Sequence, residues 1–204
     1  MTNFRFDLAE WFSGNADQVR SDLVGYFGGG KQPFTGRWFE ELAAMSDPNR
    51  FEAPDLLAVE ALSVTVPTEA AASLLITEIE RFNSLLREIP REQELWEVSR
   101  LDVSSGSAAD RLHAELRTLP GVEWVVASKL MAAKRPKLIP ILDNEVRNYL
   151  QPPKSFFWVT MHDELSDPAR RRAIEEACQA APPQVSLLRR MDVALWRAAR
   201  RGAT

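Results

Sequence analysis

Hydrophobic positions recur at helical intervals along most of this chain. A spacing of three to four residues is typical of a helix with one buried face. The pattern first follows Asn15, a good helix-capping residue, at Val19, Leu23, Val24 and Phe27. A longer helix is predicted over residues 68–89. The buried stripe predicted for this helix consists of Leu74, Leu75, Ile79, Phe82, Leu85, Leu86 and Ile89.

Prolines and capping residues mark where several helices begin. Pro54 and Pro67 stand at predicted first turns, where a missing amide hydrogen costs nothing. Ser107 and Asp110 have the spacing of a capping box, in which each side chain bonds to the backbone near the other. Asp143 opens the segment DNEVRNYL and is a good residue for capping it.

Helical patterns continue to the end of the chain, over residues 166–181 and 185–200. The only strand-like runs are VTV at 64–66 and LIPIL at 138–142, and each is short and lies next to a proline. The sequence therefore predicts an all-α fold.

The segment VSSGS is the best candidate for a boundary between two lobes. It would separate an N-terminal helical lobe over residues 1–105 from a C-terminal lobe over residues 106–204. A chain of 204 residues is long enough for two lobes, and one compact domain is the alternative.

Composition narrows the class of protein. Hydrophobic residues make up 45% of the chain and charged residues 26%, which are ordinary values for a globular protein. No apolar run approaches the roughly 20 residues that a membrane span needs, and the first residues lack the pattern of a secretion signal. Cys178 is the single cysteine, which excludes an internal disulfide and any site built on several cysteines. We therefore expect a cytoplasmic protein with no membrane association, no cofactor and no metal.

The charge is unevenly spread along the chain. Residues 1–110 hold 9 Lys and Arg against 19 Asp and Glu, a formal charge of −10. Residues 111–204 hold 16 against 10, a charge of +6. A basic second half suits a nucleic acid, but solvated faces of unequal sign explain the same distribution equally well.

The stretch LPGVEWVVASKL at 119–130 predicts a tight turn between two helices. Pro120 ends the first helix, and Gly121 permits backbone angles that a side chain would forbid. The second helix then begins with free amide groups, which form a ready binding site for a phosphate. The residues predicted to contact nucleic acid here are Gly121, Val122, Glu123 and Trp124. A turn of this kind also occurs as a plain connector in helical bundles, which is the alternative.

A basic cluster and one carboxylate follow this turn. A phosphate backbone could be contacted by a cluster of basic residues: Lys129, Lys134, Arg135, Lys137 and Arg147. A solvated helix end explains that cluster equally well. Asp143 can cap a helix with one of its two oxygens and leave the other free for a second contact. Arg37 and Trp38 are further candidates for lining a cleft, since an arginine beside an aromatic ring can stack on a base. The start of an amphipathic helix is the commoner explanation of this pattern.

The segment LPGVEWVVASKLMAAKRPKLIPILDNEV, residues 119–146, resembles the core of the helix-hairpin-helix DNA glycosylase superfamily. Leu119-Pro120-Gly121-Val122 and Ala127 match its hairpin, and Leu142-Asp143 and Val146 match its carboxylate segment at the spacing that the superfamily uses. The wider chain, including GRWFEELA and SLLRRMDVALWRAARR, also resembles a family of uncharacterised bacterial proteins.

The resemblance implies a two-lobed all-α fold with a cleft for double-stranded DNA and Asp143 at its mouth. It implies that Asp143 is the candidate catalytic residue, whose carboxylate promotes the release of a flipped base. The lysine of the lyase members falls at Val125, which cannot form a Schiff base, so the implied enzyme is monofunctional. The second hairpin glycine is replaced by Glu123 and the Thr-His pair after the aspartate by Asn144-Glu145.

Two other functions fit the same sequence. One is a non-enzymatic module that uses the scaffold to bind DNA or a protein. The other is an enzyme that takes a small molecule into the cleft, with Arg37 and Asp143 facing it. The sequence does not predict an oligomeric state.

Overall fold

Helices account for the regular structure of this chain. The computed structural model describes residues 4–28, 34–153 and 157–202. In those ranges the chain forms twelve α-helices and no strand, so the predicted all-α class is confirmed. Short turns of 3₁₀ or π helix lie at 35–38, 73–77 and 100–103. The α-helices are α1 (Leu8–Gly14), α2 (Ala16–Phe27), α3 (Phe39–Ala43), α4 (Ala53–Ala61), α5 (Thr68–Ala72), α6 (Ile79–Glu88), α7 (Ala108–Leu116), α8 (Trp124–Lys134), α9 (Asn144–Leu150), α10 (Phe157–Leu165), α11 (Pro168–Ala177) and α12 (Leu187–Gly202).

Side-chain caps fix several predicted helix starts. Ser107 Oγ accepts the amide hydrogen of Asp110 at 3.1 Å and begins α7. Asp143 Oδ1 accepts the amide hydrogen of Val146 at 2.9 Å and begins α9. Pro54 lies in the first turn of α4, as predicted. Each cap satisfies an amide that has no partner within its own helix.

The long helix predicted over residues 68–89 is interrupted. A π-helical turn at 73–77 separates α5 from α6. Glu78 donates its amide hydrogen to the carbonyl of Ser73 at 2.9 Å, five residues back rather than four. This turn absorbs an extra residue, and Phe82 still reaches the core. The prediction of one continuous helix is wrong at this point.

The buried face of α2 is rotated from its predicted position. Val24 is 55% exposed, although the apolar pattern placed it on the buried side. Asp22 and Tyr26 are buried instead, because both bond to arginines of α12. Polar pairing with α12 therefore decides which face of α2 turns inward.

α8 is the central helix of the fold. Every residue from 126 to 134 is buried, and the helix packs against α3, α4 and α7. A helix buried on all sides must also bury its lysines, so the lysines of α8 in the predicted basic cluster do not lie at the surface.

The two ends of the chain pack together. α1 and α2 contact α11, and α12 contacts both α2 and α9. The largest buried cluster contains residues from Phe4 to Leu195 and so draws on both sides of position 105. The division into lobes at that position stays a prediction. No helix in the described ranges is long and apolar enough to cross a membrane.

Candidate functional site

The predicted turn at Pro120-Gly121 joins α7 to α8. Gly121 has a φ of +72°, in the left-handed region that favours glycine. A Cβ atom on this residue would lie 2.8 Å from Cγ of Pro67, so the turn also packs too closely for a side chain. Leu119 and Val122 are buried on either side and anchor the turn to the core. The expected need for glycine at this position is confirmed.

The start of α8 lies at the surface beside this turn. Glu123 is the N-cap residue, but its side chain forms no capping hydrogen bond. The amides of the first turn therefore have no side-chain acceptor at the cap, as an anion site requires. The exposed carboxylate of Glu123 belongs to the same turn and opposes an anion there.

Asp143 lines a cavity of about 330 Å³. Its Oδ1 caps α9, and its Oδ2 forms no hydrogen bond with any residue that the structure describes. The cavity is built from both ends of the chain, with Tyr26 from α2, Lys129 from α8 and Asp192 from α12. Trp196 adds an aromatic wall. Asp143 thus combines a structural role with a position on a cavity.

Lys129 and Asp192 give this cavity two buried ionisable groups. Lys129 is 5% exposed and donates from Nζ to the carbonyl of Leu62 at 3.0 Å. Burial lowers the pKa of Lys129, although the charges of Asp143 and Asp192 oppose this change. Burial raises the pKa of Asp192 to about 6, against the charge of Arg189. The protonation of Lys129 and that of Asp192 therefore each depend on the charge of the other group and on the charge of a bound ligand.

Arg189 fixes one wall of the cavity. It pairs with Asp192, donates from Nη2 to the Tyr26 hydroxyl at 2.7 Å, and donates from Nε to Glu40 Oε1 at 3.2 Å. The three partners come from α12, α2 and α3. A guanidinium with several acceptors holds those side chains in place before any ligand arrives.

Sequence reasoning did not identify Tyr26, Arg189, Asp192 or Trp196 as site residues. The available signal was an arginine and an aspartate three residues apart on an otherwise apolar face of α12, within LLRRMDVAL. Such a pair at the surface is an ordinary helix contact. Only its burial against α2 makes it part of a cavity, and burial depends on how the helices pack.

The predicted basic cluster does not form one surface. Lys134 is buried, its Nζ lies 2.5 Å from Asp55 Oδ2, and the same Nζ donates to Ser46 and to the carbonyl of Asp47. Arg135 is 1% exposed and forms all its hydrogen bonds inside the fold. Neither side chain is available to contact a phosphate. Their burial therefore contradicts the prediction that Lys134 and Arg135 contact nucleic acid.

The rest of that cluster points in different directions. Lys129 faces the cavity of Asp143. Lys137 is half-buried, with Nζ 3.7 Å from Glu94 Oε1. Arg147 is exposed and lies over the ring of Trp124, with Cζ 5.5 Å from the ring centre.

Arg37 and Trp38 lie together but away from Asp143. The guanidinium carbon of Arg37 is 4.7 Å from the centre of the Trp38 ring. Both residues line a separate cavity of about 250 Å³ beside Glu40. The expectation that Arg37 and Asp143 face one cleft is therefore not met in the described part of the chain.

The described residues contain no group of three or more His, Cys, Asp or Glu side chains that could hold a metal ion. They define an all-α protein with a small charged cavity beneath its central helix. The profile of a family of unknown function, DUF6308, matches residues 19–199, and the chain belongs to that family. No match was found among curated proteins or among solved structures.

Proposed function

We propose that this protein binds double-stranded DNA and hydrolyses the N-glycosidic bond of a flipped nucleotide, with Asp143 as the catalytic carboxylate. The observation that carries the proposal is the position of Asp143. It follows Pro120 of the α7–α8 turn by 23 residues, it caps α9 with Oδ1, and it is one of the residues that line a cavity. That arrangement matches the spacing of the two motifs in the glycosylase superfamily.

The cavity has a suitable size and lining for a nucleobase with its sugar. Its volume of about 330 Å³ is at the lower end of the range usual for small-ligand sites. Tyr26 and Trp196 supply aromatic surface against which a base can pack. Lys129, Asp143 and Asp192 supply polar groups for its edges, so a base would meet both apolar contact and hydrogen-bonding partners.

In the proposed reaction the bond between C1′ of the sugar and the base nitrogen breaks, and water adds to C1′. Asp143 in its ionised form stabilises the positive charge that develops on the sugar and accepts a proton from the attacking water. The base leaves with a proton taken from the solvent, and Asp143 returns the proton it accepted to the solvent, so one water is added across the broken bond. The helix cap fixes the carboxylate through Oδ1, so Oδ2 is oriented before substrate binds.

The proposed enzyme releases a base without lyase activity. Val125 lines the cavity at the position of the superfamily's lyase lysine and has no nucleophile. Lys129 lies one helical turn further along α8, and its Nζ is already bonded to the carbonyl of Leu62. An amine engaged in this way must first break that contact to attack a sugar.

A second candidate function is an enzyme that uses the same cavity for a small molecule without DNA. The burial of Lys134 and Arg135 favours it, because two expected phosphate contacts are removed from the surface. The same cavity residues would act in both cases, so the ligand separates the two candidates.

The change Asp143→Asn tests the chemistry with little effect on folding. Asparagine is a good N-cap and can still accept the amide of Val146, so the melting temperature should stay within a few degrees. Base release from a panel of damaged and modified duplexes should fall by at least about 100-fold, because the charge that stabilises the sugar is gone. The exposed Asp167, which caps α11, is a matched control, and Asp167→Asn should leave activity unchanged.

Base release that is equal in Asp143→Asn and in the unmodified protein would remove Asp143 from the chemistry. If the unmodified protein releases no base but binds free nucleosides or other small molecules at this cavity, the second candidate is favoured.

A further inference from the structure

A second cavity, of about 430 Å³, lies on the other side of the first turns of α8. Trp124 and Ser128 line this cavity, whereas Val125 and Lys129, one position further along the helix, line the cavity of Asp143. The two cavities are therefore separate sites that share one helix as a wall. The features of the second cavity do not depend on Asp143.

Two arginines without carboxylate partners converge on this second cavity. Arg117 and Arg147 are both exposed, and neither forms an ion pair with a carboxylate in the part of the chain that the structure describes. Arg81 and Arg111, nearby on the surface, are each paired with a glutamate. Among the lining residues that the structure describes, Asp110 is the one acidic side chain, and its Oδ2 already accepts the amide hydrogen of Gly106 at 2.9 Å. The lining therefore carries an excess of positive charge.

Two indole rings also line this cavity. Trp124 and Trp158 are both half-buried. Arg147 lies over the Trp124 ring, and the His113 ring meets Trp158 edge-on with centroids 5.5 Å apart. Rings that are held by such contacts but still reach a cavity offer a surface for stacking a planar ligand.

His113 connects the two sides of the site. Its Nε2 lies 3.3 Å from the carbonyl of Trp124 and 3.3 Å from Ser128 Oγ, so it links α7 to the start of α8. Burial lowers the pKa of His113, and the imidazole is neutral near neutral pH. The positive charge that an anion would meet at that pH therefore comes from Arg117 and Arg147.

We propose that this second cavity binds a nucleotide, with its phosphate on Arg117 and Arg147 and its base against the indoles of Trp124 and Trp158. A simple inorganic anion would leave the indoles unused, and an apolar ligand would leave two guanidiniums unpaired. Guanidinium groups suit phosphate oxygens, and aromatic rings suit bases of any sequence. The bases of an intact duplex are stacked and inaccessible, so the ligand is a free nucleotide or an unpaired nucleotide of a strand.

Calorimetric titration with four ligands tests this site. They are deoxyadenosine 5′-monophosphate, deoxyadenosine, inorganic phosphate and a short single-stranded oligodeoxynucleotide. The monophosphate should bind at least about 10-fold more tightly than the nucleoside or phosphate alone, because only it uses both parts of the site. Equal affinity of oligonucleotide and monophosphate supports a free nucleotide as the ligand, and much tighter binding of the oligonucleotide supports a strand.

Arg117→Gln and Arg147→Gln should each weaken monophosphate binding by about 10-fold or more. Arg172→Gln is the matched control, since Arg172 is an exposed arginine of α11 that does not line the cavity. Asp143→Asn should bind the monophosphate normally, so failure of the base-release proposal does not affect this result. The nucleotide site is overturned if neither monophosphate nor oligonucleotide binds, if phosphate binds as tightly as the monophosphate, or if the two arginine variants bind normally.

Discussion

Arg135 was predicted as a phosphate contact, but its role in the structure is to hold backbone segments together. Its Nε donates to the carbonyl of Ile89 at 3.0 Å, and its Nη atoms donate to the carbonyls of Pro48, Lys134 and Leu86 and to the side-chain oxygen of Asn49. No carboxylate among the described residues pairs with it. The guanidinium thus closes the end of α8 against α6 and the loop before α4. Burial lowers its pKa to about 10, so it stays charged at neutral pH.

Arg135→Lys should destabilise the protein by about 2–4 kcal/mol, because an ammonium group has fewer donors and cannot reach all of these oxygens. Urea unfolding at neutral pH measures the change. The exposed Arg172→Lys is the control and should change the free energy of unfolding by less than about 0.5 kcal/mol. A loss for Arg135→Lys as small as that of the control would contradict the structural role.

The partly buried imidazole of His113 makes stability depend on pH. Its pKa is lowered in the folded state, so the unfolded chain takes up a proton first as the pH falls. The contribution to stability is present above the unfolded pKa of about 6.5 and is lost below it. Between about pH 7.5 and about pH 5, the free energy of unfolding should therefore fall more in the unmodified protein than in His113→Gln. Parallel curves for the two proteins, measured by urea unfolding, would show that His113 does not titrate differently on folding.

Single residues also mark where prediction from sequence succeeds and where it stops. Asp143 was predicted as a helix cap because capping follows from local chemistry, and as a site residue because of the spacing between its segment and the α7–α8 turn. Its capping bond and its place on a cavity are observed. Lys134 was predicted at the surface because lysines usually are, and only the packing of α8 between other helices pairs it with Asp55 in the interior.

At the scale of the elements, the α7–α8 turn depends on its glycine for both backbone conformation and packing. Gly121→Ala should destabilise the protein by about 1–3 kcal/mol, because alanine disfavours the positive φ and its Cβ would collide with Pro67. Gly106→Ala is a matched control, since Gly106 has a φ of +80° but open space where a Cβ would lie. The difference between the two variants in thermal or urea unfolding measures the packing against Pro67. Equal losses would show that the close contact contributes nothing.

Helices with a capping residue and a regular apolar face could be predicted from the sequence. Other helices could be identified only in the structure. α11 and α12 follow their apolar patterns closely. α1 and α10 were not predicted, since LAEWFSG is short and FWVTMHDEL has no clean polar face. The π turn at 73–77 was missed because residues 68–89 carry a continuous helical pattern, in which one extra residue leaves no local signal.

At the scale of the whole molecule, the candidate site results from bringing together the two ends of the chain. α12 returns to pack on α2 and α9, which places Asp192 and Trp196 opposite Asp143 and Lys129. No local sequence pattern predicts this packing of α12 on α2 and α9, because it brings together residues that are far apart in the sequence. Of these four residues, the sequence indicated Asp143 and Lys129, and the fold supplied Asp192 and Trp196.

Whether this cavity receives a flipped nucleotide is the central question. The most direct measurement is the affinity of the protein for a duplex with a stable abasic-site analogue, compared with the intact duplex, over a series of salt concentrations. The abasic duplex should bind more tightly, since extrusion of its damaged nucleotide costs less, and affinity should fall steeply with salt as phosphate contacts are screened. Glu123→Gln should tighten binding to both duplexes if the start of α8 meets the backbone. Absence of binding to either duplex even at low salt would contradict a DNA substrate and leave the cavity to a small molecule.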